Sequence, residues 1–315
     1  MTPAPDESRY VLRDDLNIID LSHEVWRNKW LVAAIALAAG LVCVVIVLFI
    51  PNKYTSEATL APAPATTTQP MIGRSIAAQL SGLAGINLGG AGGADQTAVA
   101  MALLKSRAFL ADFARRHQLA VPLIAGKRWD ADTGELLIDR KIYDPETDAW
   151  LRPPENGRPS EPTDGELYEV LRSLIDVDQD RATGLVSLDV DALSPSDARD
   201  WATWLVEDVN AQMRNREIKE AEQSIRFLGD KAQETPIAGV KEVLYQLMQD
   251  QVQRRMLADV RGEFALMVID PPMLPEIKSW PPRSLLCIAA TLVGGILGIV
   301  LVVVRASLRR ARAVR

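Results

Sequence analysis

Two long runs of apolar residues stand out in the pattern of hydrophobic and polar positions along this chain. Leu31–Ile50 has 20 residues and Ser284–Val304 has 21, and neither run contains a charged side chain. A bilayer core of roughly 30 Å requires about 20 helical residues, and neither run shows the polar stripe of a helix in a soluble core. The pattern therefore predicts transmembrane helices at residues 31–50 and 284–304.

The first apolar run is interpreted as a membrane anchor rather than as a cleaved signal peptide. Signal peptides have apolar regions of about 7–15 residues, whereas this run has 20. Pro62 and Pro64 also stand where a cleavage site requires small residues. We therefore expect the first span to be retained.

Basic residues near the two spans predict the orientation of the chain. Arg27 and Lys29 precede the first run, and five Arg without any acidic residue follow the second. Lys and Arg near the ends of a span mark its cytoplasmic side. We therefore expect a cytoplasmic segment at residues 1–30, a periplasmic domain at 51–283 and a basic cytoplasmic tail at 305–315, in the inner membrane of a bacterium.

Shorter patterns within residues 51–283 predict an α+β domain. Alternating apolar and polar residues indicate strands, and apolar residues three or four positions apart indicate helices. The predicted elements are a strand at 53–60, a helix at 96–119, an irregular insertion at 121–165, a helix at 166–173, a hairpin at 175–178 and 186–191, long helices at about 195–235 and 237–260, and a strand at 263–270. Without the insertion this order is β-α-β-β-α-β, that of the ferredoxin-like fold. We therefore expect an α+β membrane protein whose two spans flank a ferredoxin-like base with a long helical arm.

The first long helix has clear start and stop signals. Ser194 is the expected N-cap, Pro195 suits the first helical position, and Asp197 completes a capping-box pattern. About 40 residues at 1.5 Å each reach roughly 60 Å, which is longer than a compact domain of this size requires. Six of the ten residues 214–223 are charged. We therefore expect a solvated arm, with neighbouring subunits covering the rest of its apolar stripe.

Charge and composition exclude several classes of function. Residues 51–283 have 26 Lys and Arg against 35 Asp and Glu, a formal net charge of −9, which disfavours nucleic-acid binding. No segment has the spacing of a phosphate-binding loop, and the Gly-rich stretch 82–93 is predicted to be a loop. The cysteines Cys43 and Cys287 lie in the spans, and His117 is expected to contact the carbonyls of a helix end. We therefore expect no metal, no cofactor and no catalytic residue.

Two sets of carboxylates leave alternatives open. Asp130 and Asp132 form a pair, but nothing in the sequence marks the environment of a general acid. A second set on the predicted hairpin could gather Ca²⁺, although alternation along the strands favours the solvated face of a half-buried sheet. This second set consists of Asp176, Asp178, Asp180, Asp189 and Asp191.

Short motifs along the chain resemble the polysaccharide co-polymerases, the Wzz chain-length determinant family. Pro51-x-x-Tyr54 is similar to the motif at that family's membrane exit, and Leu104-Lys-Ser-Arg107 is similar to its first-helix signature. Trp129-Asp130 and Asp144-Pro145 are similar to segments of a subset of members. The Pro-rich approach to the second span and the glycines within it resemble the C-terminal end. The candidate motif and assembly residues are Pro51, Tyr54, Ser106, Arg107, Pro271, Pro275, Pro281, Gly294 and Gly298.

The glycines of the second span have two interpretations. Gly294-x-x-x-Gly298 would allow close approach to another helix. They are equally consistent with ordinary small residues of a membrane helix, and the sequence alone leaves both open.

The resemblance implies a function for the chain. Members form bell-like homo-oligomers in the inner membrane and set the modal length of O-antigen or a related polysaccharide, working with a Wzy-type polymerase on lipid-linked polysaccharide. They act as scaffolds and not as enzymes, and the tyrosine kinase fused to some relatives is expected to be absent here. The alternative is an inner-membrane auxiliary subunit of a capsule or exopolysaccharide exporter, and a periplasmic sensor comes third.

Overall fold

The computed structural model describes residues 26–63, 91–154 and 157–313. For residues 91–95 and 306–313 it describes the backbone only. The chain divides into a smaller unit, Met1–Ile50 with Trp280–Arg315, and a larger unit, Pro51–Ser279. The helices are α1 (Lys29–Phe49), α2 (Ala91–Leu104), α3 (Arg107–Arg116), α4 (Ala120–Ile124), α5 (Asp164–Leu174), α6 (Pro195–Glu234), α7 (Ala238–Val260) and α8 (Arg283–Ala313). The strands are β1 (Tyr54–Pro62), β2 (Gly126–Asp130), β3 (Glu135–Ile138), β4 (Tyr143–Asp144), β5 (Ala149–Trp150), β6 (Ile175–Gln179), β7 (Val186–Ala192) and β8 (Leu266–Asp270).

The smaller unit contains the two apolar runs. Within the described ranges, Lys29–Phe49 and Arg283–Arg305 are the helical segments long and apolar enough to cross a membrane. Both are helical throughout, because a segment without proline can pair its backbone groups within its own helix. α8 continues past the apolar run into the basic tail, as far as Ala313.

Four strands of the larger unit form one antiparallel sheet in the order β6-β7-β1-β8. β1 is an interior strand and pairs with β7 from Tyr54↔Ala192 to Leu60↔Val186. On its other side β1 pairs with β8, with a shift of register between Thr59 and Leu60. The first and last strands of the sheet are therefore antiparallel neighbours, which is the pairing that the order of elements predicts.

One face of this sheet carries the core of the larger unit. Along β7, Val186 and Leu188 are fully buried, whereas Ser187 between them is exposed. Such alternation places every second side chain on the same face. Helices α2, α3, α5 and α6 pack against this face. Their largest fully buried side chains are Leu104, Phe109, Leu110, Phe113, Leu171 and Leu205.

The prediction of one continuous helix at 96–119 is wrong. The chain forms α2 and α3 instead, separated at Ser106. The Ser106 side chain accepts a hydrogen bond from Phe109 N at 3.2 Å and so caps the start of α3. A hydroxyl at an N-cap satisfies a backbone donor that has no partner within its own helix, and here it sets the start of a new helix.

The Gly-rich stretch is also partly helical. α2 begins at Ala91 and includes Gly92 and Gly93, so the predicted loop is wrong for these residues. The remainder of that stretch, residues 82–90, lies outside the described residues.

Helix capping differs from the prediction in two places. Ser194 is the N-cap residue of α6 but makes no side-chain cap bond, because its Oγ bonds instead to Ser196 Oγ at 2.6 Å. A capping box forms at α5, where Glu166 N donates to Thr163 Oγ1 and Thr163 N donates to Glu166 Oε2. The box begins α5 earlier than the apolar spacing predicted, because its signal is polar.

The insertion at 121–165 contains α4 and the hairpins β2-β3 and β4-β5. Asp130 accepts from Asp132 N at 3.0 Å in the first hairpin turn, so this carboxylate pair shapes a turn. Arg152 fastens the insertion to α5, since its Nη2 donates to Glu166 Oε2 at 2.6 Å. That charge-assisted bond, assisted by the Thr163 backbone and by Arg158, holds the pKa of Glu166 below its ordinary value.

α6 and α7 form a helical hairpin. Arg255 and Glu222 form an ion pair at 3.2 Å, and Arg214 Nη1 donates to Arg261 O at 3.4 Å, so α7 runs back along α6. Ala221, in the middle of α6, is 2% exposed. Part of the apolar stripe expected to face neighbouring subunits is therefore covered by the next helix of the same chain.

The last strand is shorter than predicted and is attached to α6 by a side chain. β8 begins at Leu266, whereas the alternation predicts a strand from residue 263. Asn210 of α6 accepts from Ala265 N at 2.8 Å and Leu266 N at 3.0 Å, and donates to Leu266 O at 2.8 Å. A side chain from α6 thus supplies backbone hydrogen bonds that a neighbouring strand would otherwise supply.

Candidate functional site

The two ends of the larger unit are tied together by hydrogen bonds. Ser279 N donates to Lys53 O, and Thr55 N donates to Ser279 Oγ, both at 2.9 Å. Ser56 is 1% exposed and donates from Oγ to Met273 O at 2.8 Å. Because proline has no N–H to donate, the Pro-rich segment after β8 relies on such bonds. We call these five residues the exit junction.

The motif residues at the two ends of the larger unit are neighbours of the exit junction along the chain. Pro51 precedes β1, and Tyr54 opens it with its ring edge-on to Trp129, the centroids 5.5 Å apart. Pro271 and Pro275 lie on either side of the methionine carbonyl that Ser56 contacts. These residues therefore shape the two connections of the domain.

The other motif residues of the larger unit lie where α3 meets α5. Ser106 caps α3, and Arg107 is its first residue. Arg107 Nη2 lies 3.0 Å from where a Cβ on Gly165 would stand, so the glycine admits the guanidinium beside the start of α5. The structure thus gives Ser106 a capping role and Arg107 a packing role.

In the smaller unit, the glycines of the second span contact the first span. Pro281, whose peptide bond is cis, lies just before α8. A Cβ on Gly294 would stand 2.5 Å from Ala39 Cβ, and one on Gly298 would stand 3.2 Å from Val32 Cα. At Gly294 only a residue without a side chain allows such an approach, whereas at Gly298 a Cβ would require Val32 to shift by a few tenths of an ångström. The close approach is therefore to α1 of the same chain.

A groove of about 750 Å³ lies between α2, α3 and α6. At its base, Asp208 pairs with Arg116 Nη1 and His117 Nε2, each at 2.9 Å, and Arg116 also pairs with Asp112 at 2.9 Å. The His117 ring stacks on Trp204 with centroids 4.5 Å apart. His117 contacts the carbonyls of the helix end, as predicted, through its backbone N–H, which donates to Phe113 O at 3.1 Å. Its ring instead meets a carboxylate of α6.

Helix α7 leaves apolar side chains exposed. Val240, Val243 and Leu247 share one helical face, and 44%, 52% and 45% of their surfaces are exposed. Phe227 and Ile237, nearer the turn between α6 and α7, are 61% and 62% exposed. Contiguous exposed apolar surface marks interaction sites. We call Val240, Val243 and Leu247 the assembly face.

The sheet face opposite the core is acidic. Asp189 lies in register between Glu57 on β1 and Asp176 on β6. Burial raises the pKa of Asp189, and the charges of Glu57, Asp176 and Asp191 raise it further. Within residues 26–63, 91–154 and 157–313, no group of three or more His, Cys, Asp and Glu is placed to hold a metal ion. These aspartates form the polar face of the sheet, as their alternation indicates.

Comparison with known proteins finds a family match for the N-terminal third of the chain. The family model of the Wzz chain length determinant protein matches residues 14–117, and no curated protein matches. A solved full-length bacterial polysaccharide co-polymerase is 14% identical and covers 93% of this chain and 98% of its own, with a TM-score of 0.38. The matched range includes Pro51, Tyr54, Ser106 and Arg107. The resemblance to the Wzz chain length determinant family that the motifs indicate is therefore confirmed, and residues 14–117 carry it.

Proposed function

We propose that this chain regulates the length of a surface polysaccharide, O-antigen or a related polymer, as a non-catalytic scaffold for a Wzy-type polymerase acting on lipid-linked chains. The match of residues 14–117 to the chain length determinant family carries this proposal. That range reaches from the N-terminal segment through α1 and β1 to the end of α3. The resemblance thus extends across a predicted span and into the folded domain.

The proposal includes a location and an orientation. The apolar helices α1 and α8 cross the inner membrane, residues 51–283 lie in the periplasm, and both flanking segments lie in the cytoplasm. The five Arg after the second run and the basic pair before the first support this orientation.

The base of the periplasmic domain is proposed to be ferredoxin-like. The order β6-β7-β1-β8 supports this, because it places the first strand between the third and the last of the four. β1 and β8 are neighbours, so the connections to both spans begin from adjacent strands. The exit junction then holds these connections side by side.

The scaffold is proposed to be a homo-oligomer. The assembly face is uncovered in a single chain, and a stripe of this kind on a long helix is suited to packing against a second copy. The charged side chains at the base of the groove are paired with one another.

Deletion of the protein tests the proposed function. We expect gel-resolved surface polysaccharide to lose its modal bands while shorter, unregulated chains remain, and the full chain supplied in trans to restore the bands. Complete loss of surface polymer with accumulation inside the cell would favour the exporter subunit. An unchanged band pattern would refute the proposal.

A further inference from the structure

The groove between α2, α3 and α6 has a regular polar wall. Gln212, Asn215, Lys219 and Gln223 are exposed, line the groove and recur every three or four residues, so they share one face of α6. At 1.5 Å per residue, this row extends over roughly 16 Å. The groove is open to solvent on one side, which suits an extended ligand that passes along it.

The charges of the groove cancel. Three cations and three anions line it, and most are already paired, for example Arg216 with Glu220 at 2.8 Å. The surrounding domain has a net charge of −9, so neither the groove nor its surroundings attract a polyanion. The exposed side chains of the α6 wall are polar, and half-buried Val99 and Leu103 supply apolar surface only on the α2 side of the groove. A lipid chain or an apolar helix would therefore find an apolar partner on one side alone, which makes it a poor match.

The amides of the wall have hydrogen-bonding capacity to spare. Within the part of the chain that the structure describes, the side chains of Gln212, Asn215 and Gln223 make no hydrogen bond. Each amide offers two donors and one acceptor oxygen. A sugar hydroxyl is both a donor and an acceptor, so neighbouring hydroxyls of a glycan can bond to both ends of one amide. Because these bonds replace bonds to water, each adds little affinity and the chain can be released.

We propose that this groove binds an uncharged stretch of the polysaccharide through the amides of α6. The inference rests on the proposed function for the identity of the polymer, but the hydroxyl-binding chemistry comes from the groove itself. Asp208, held by two donors at 2.9 Å, is a fixed acceptor at the base of the groove. The ligand class is a neutral, extended, polyhydroxyl chain.

Affinity electrophoresis of the full chain tests the binding. The protein is run in native gels that contain dextran or galactomannan, both uncharged, or anionic alginate, in a detergent without a sugar headgroup. We expect the uncharged polymers to retard wild type in proportion to their concentration. The Gln212→Ala, Asn215→Ala, Gln223→Ala triple variant should bind at least about tenfold more weakly, since each lost hydrogen bond weakens binding roughly two- to tenfold.

The matched control removes three amides elsewhere. Gln246, Gln249 and Gln253 are exposed on α7, outside the groove, and their triple alanine variant should be retarded like wild type. Absence of retardation by either uncharged polymer, equal loss in both triple variants, or stronger retardation by alginate would overturn the proposal. A changed oligomeric mass of the groove variant in light scattering would also overturn it, by showing that the groove is a subunit contact.

The same variants separate this inference from the proposed function. If deletion alters the modal length but the groove variant restores the wild-type bands, the groove proposal is wrong and the chain-length function stands. If deletion changes nothing while the groove variant still loses dextran retardation, the function is wrong and the groove stands.

Discussion

Loss of the Asn210 side chain should destabilise the larger unit more than any other truncation of a single polar side chain on α6. Asn210 is 4% exposed and makes three hydrogen bonds with the backbone of Ala265 and Leu266. Leu266 is paired in the sheet with Pro62, which has no N–H to give to the Leu266 carbonyl. The Asn210 amide supplies the missing donor. Its removal therefore leaves the two buried N–H groups and the Leu266 carbonyl without their hydrogen-bond partner.

The magnitude follows from those three groups. A hydrogen bond contributes about 1 kcal/mol net, and a buried polar group left unpaired costs about 1–3 kcal/mol. Asn210→Ala should therefore lower the free energy of unfolding by about 3–5 kcal/mol. For a domain of this size, about 1 kcal/mol shifts Tm by roughly 2–4 °C, so Tm should fall by roughly 6–20 °C.

Urea and thermal unfolding of the full chain in detergent, followed by tryptophan fluorescence, measure this effect. Trp201 lies on the same helix and is 4% exposed, so its emission reports on the same core. Asn215→Ala is the matched control, because Asn215 is exposed on α6, and it should change stability by at most about 0.5 kcal/mol. An Asn210→Ala protein as stable as this control would refute the argument that the amide holds the start of β8.

Three further perturbations test other parts of the structure. The pKa of Asp189 is raised in the folded protein, so the folded state favours the protonated carboxyl. The stability gained from this protonation is fully present below the pKa of the unfolded state and is lost as the pH rises through the pKa of the folded state. Asp189→Asn should therefore stabilise the domain at pH 7 by a few tenths to about 1 kcal/mol in urea titrations, with the gain shrinking towards pH 4; a loss of stability at pH 7 would contradict this. Gly294→Leu should separate the spans, since even a Cβ there would stand 2.5 Å from Ala39 Cβ. Cys43 and Cys287 report on this, because Leu286, next to Cys287, has its carbonyl oxygen 3.6 Å from Cys43 Sγ. Oxidative cross-linking of the two cysteines should proceed in wild type and fail in the variant. Val243→Glu on the assembly face should reduce the oligomeric mass measured by light scattering, because a charge cannot be buried between apolar faces without a partner; an unchanged mass would exclude this face as a subunit contact.

The sequence by itself determined the features that depend on local periodicity. The apolar runs at 31–50 and 284–304 correspond to α1 and the apolar part of α8, because span length is set by bilayer thickness and hydropathy alone. Alternation along β7 placed its apolar side chains in the core, since successive residues of a strand point to opposite faces. Pro195 and Pro236 bracketed α6, because proline restricts the backbone wherever it occurs.

Tertiary structure decided the contacts between residues that are far apart in sequence. Nothing near Asn210 indicates that its amide would meet residue 266, and nothing near His117 indicates that its ring would meet Asp208 of α6. The break at Ser106 has a local signal, a hydroxyl before an apolar run, but the continuous apolar spacing on either side conceals it. Periodicity reports which face of an element is buried, but not which element covers that face. The groove, the exit junction and the pairing of the spans depend on that second choice, which is made by packing and by the pairing of buried polar groups across the whole chain.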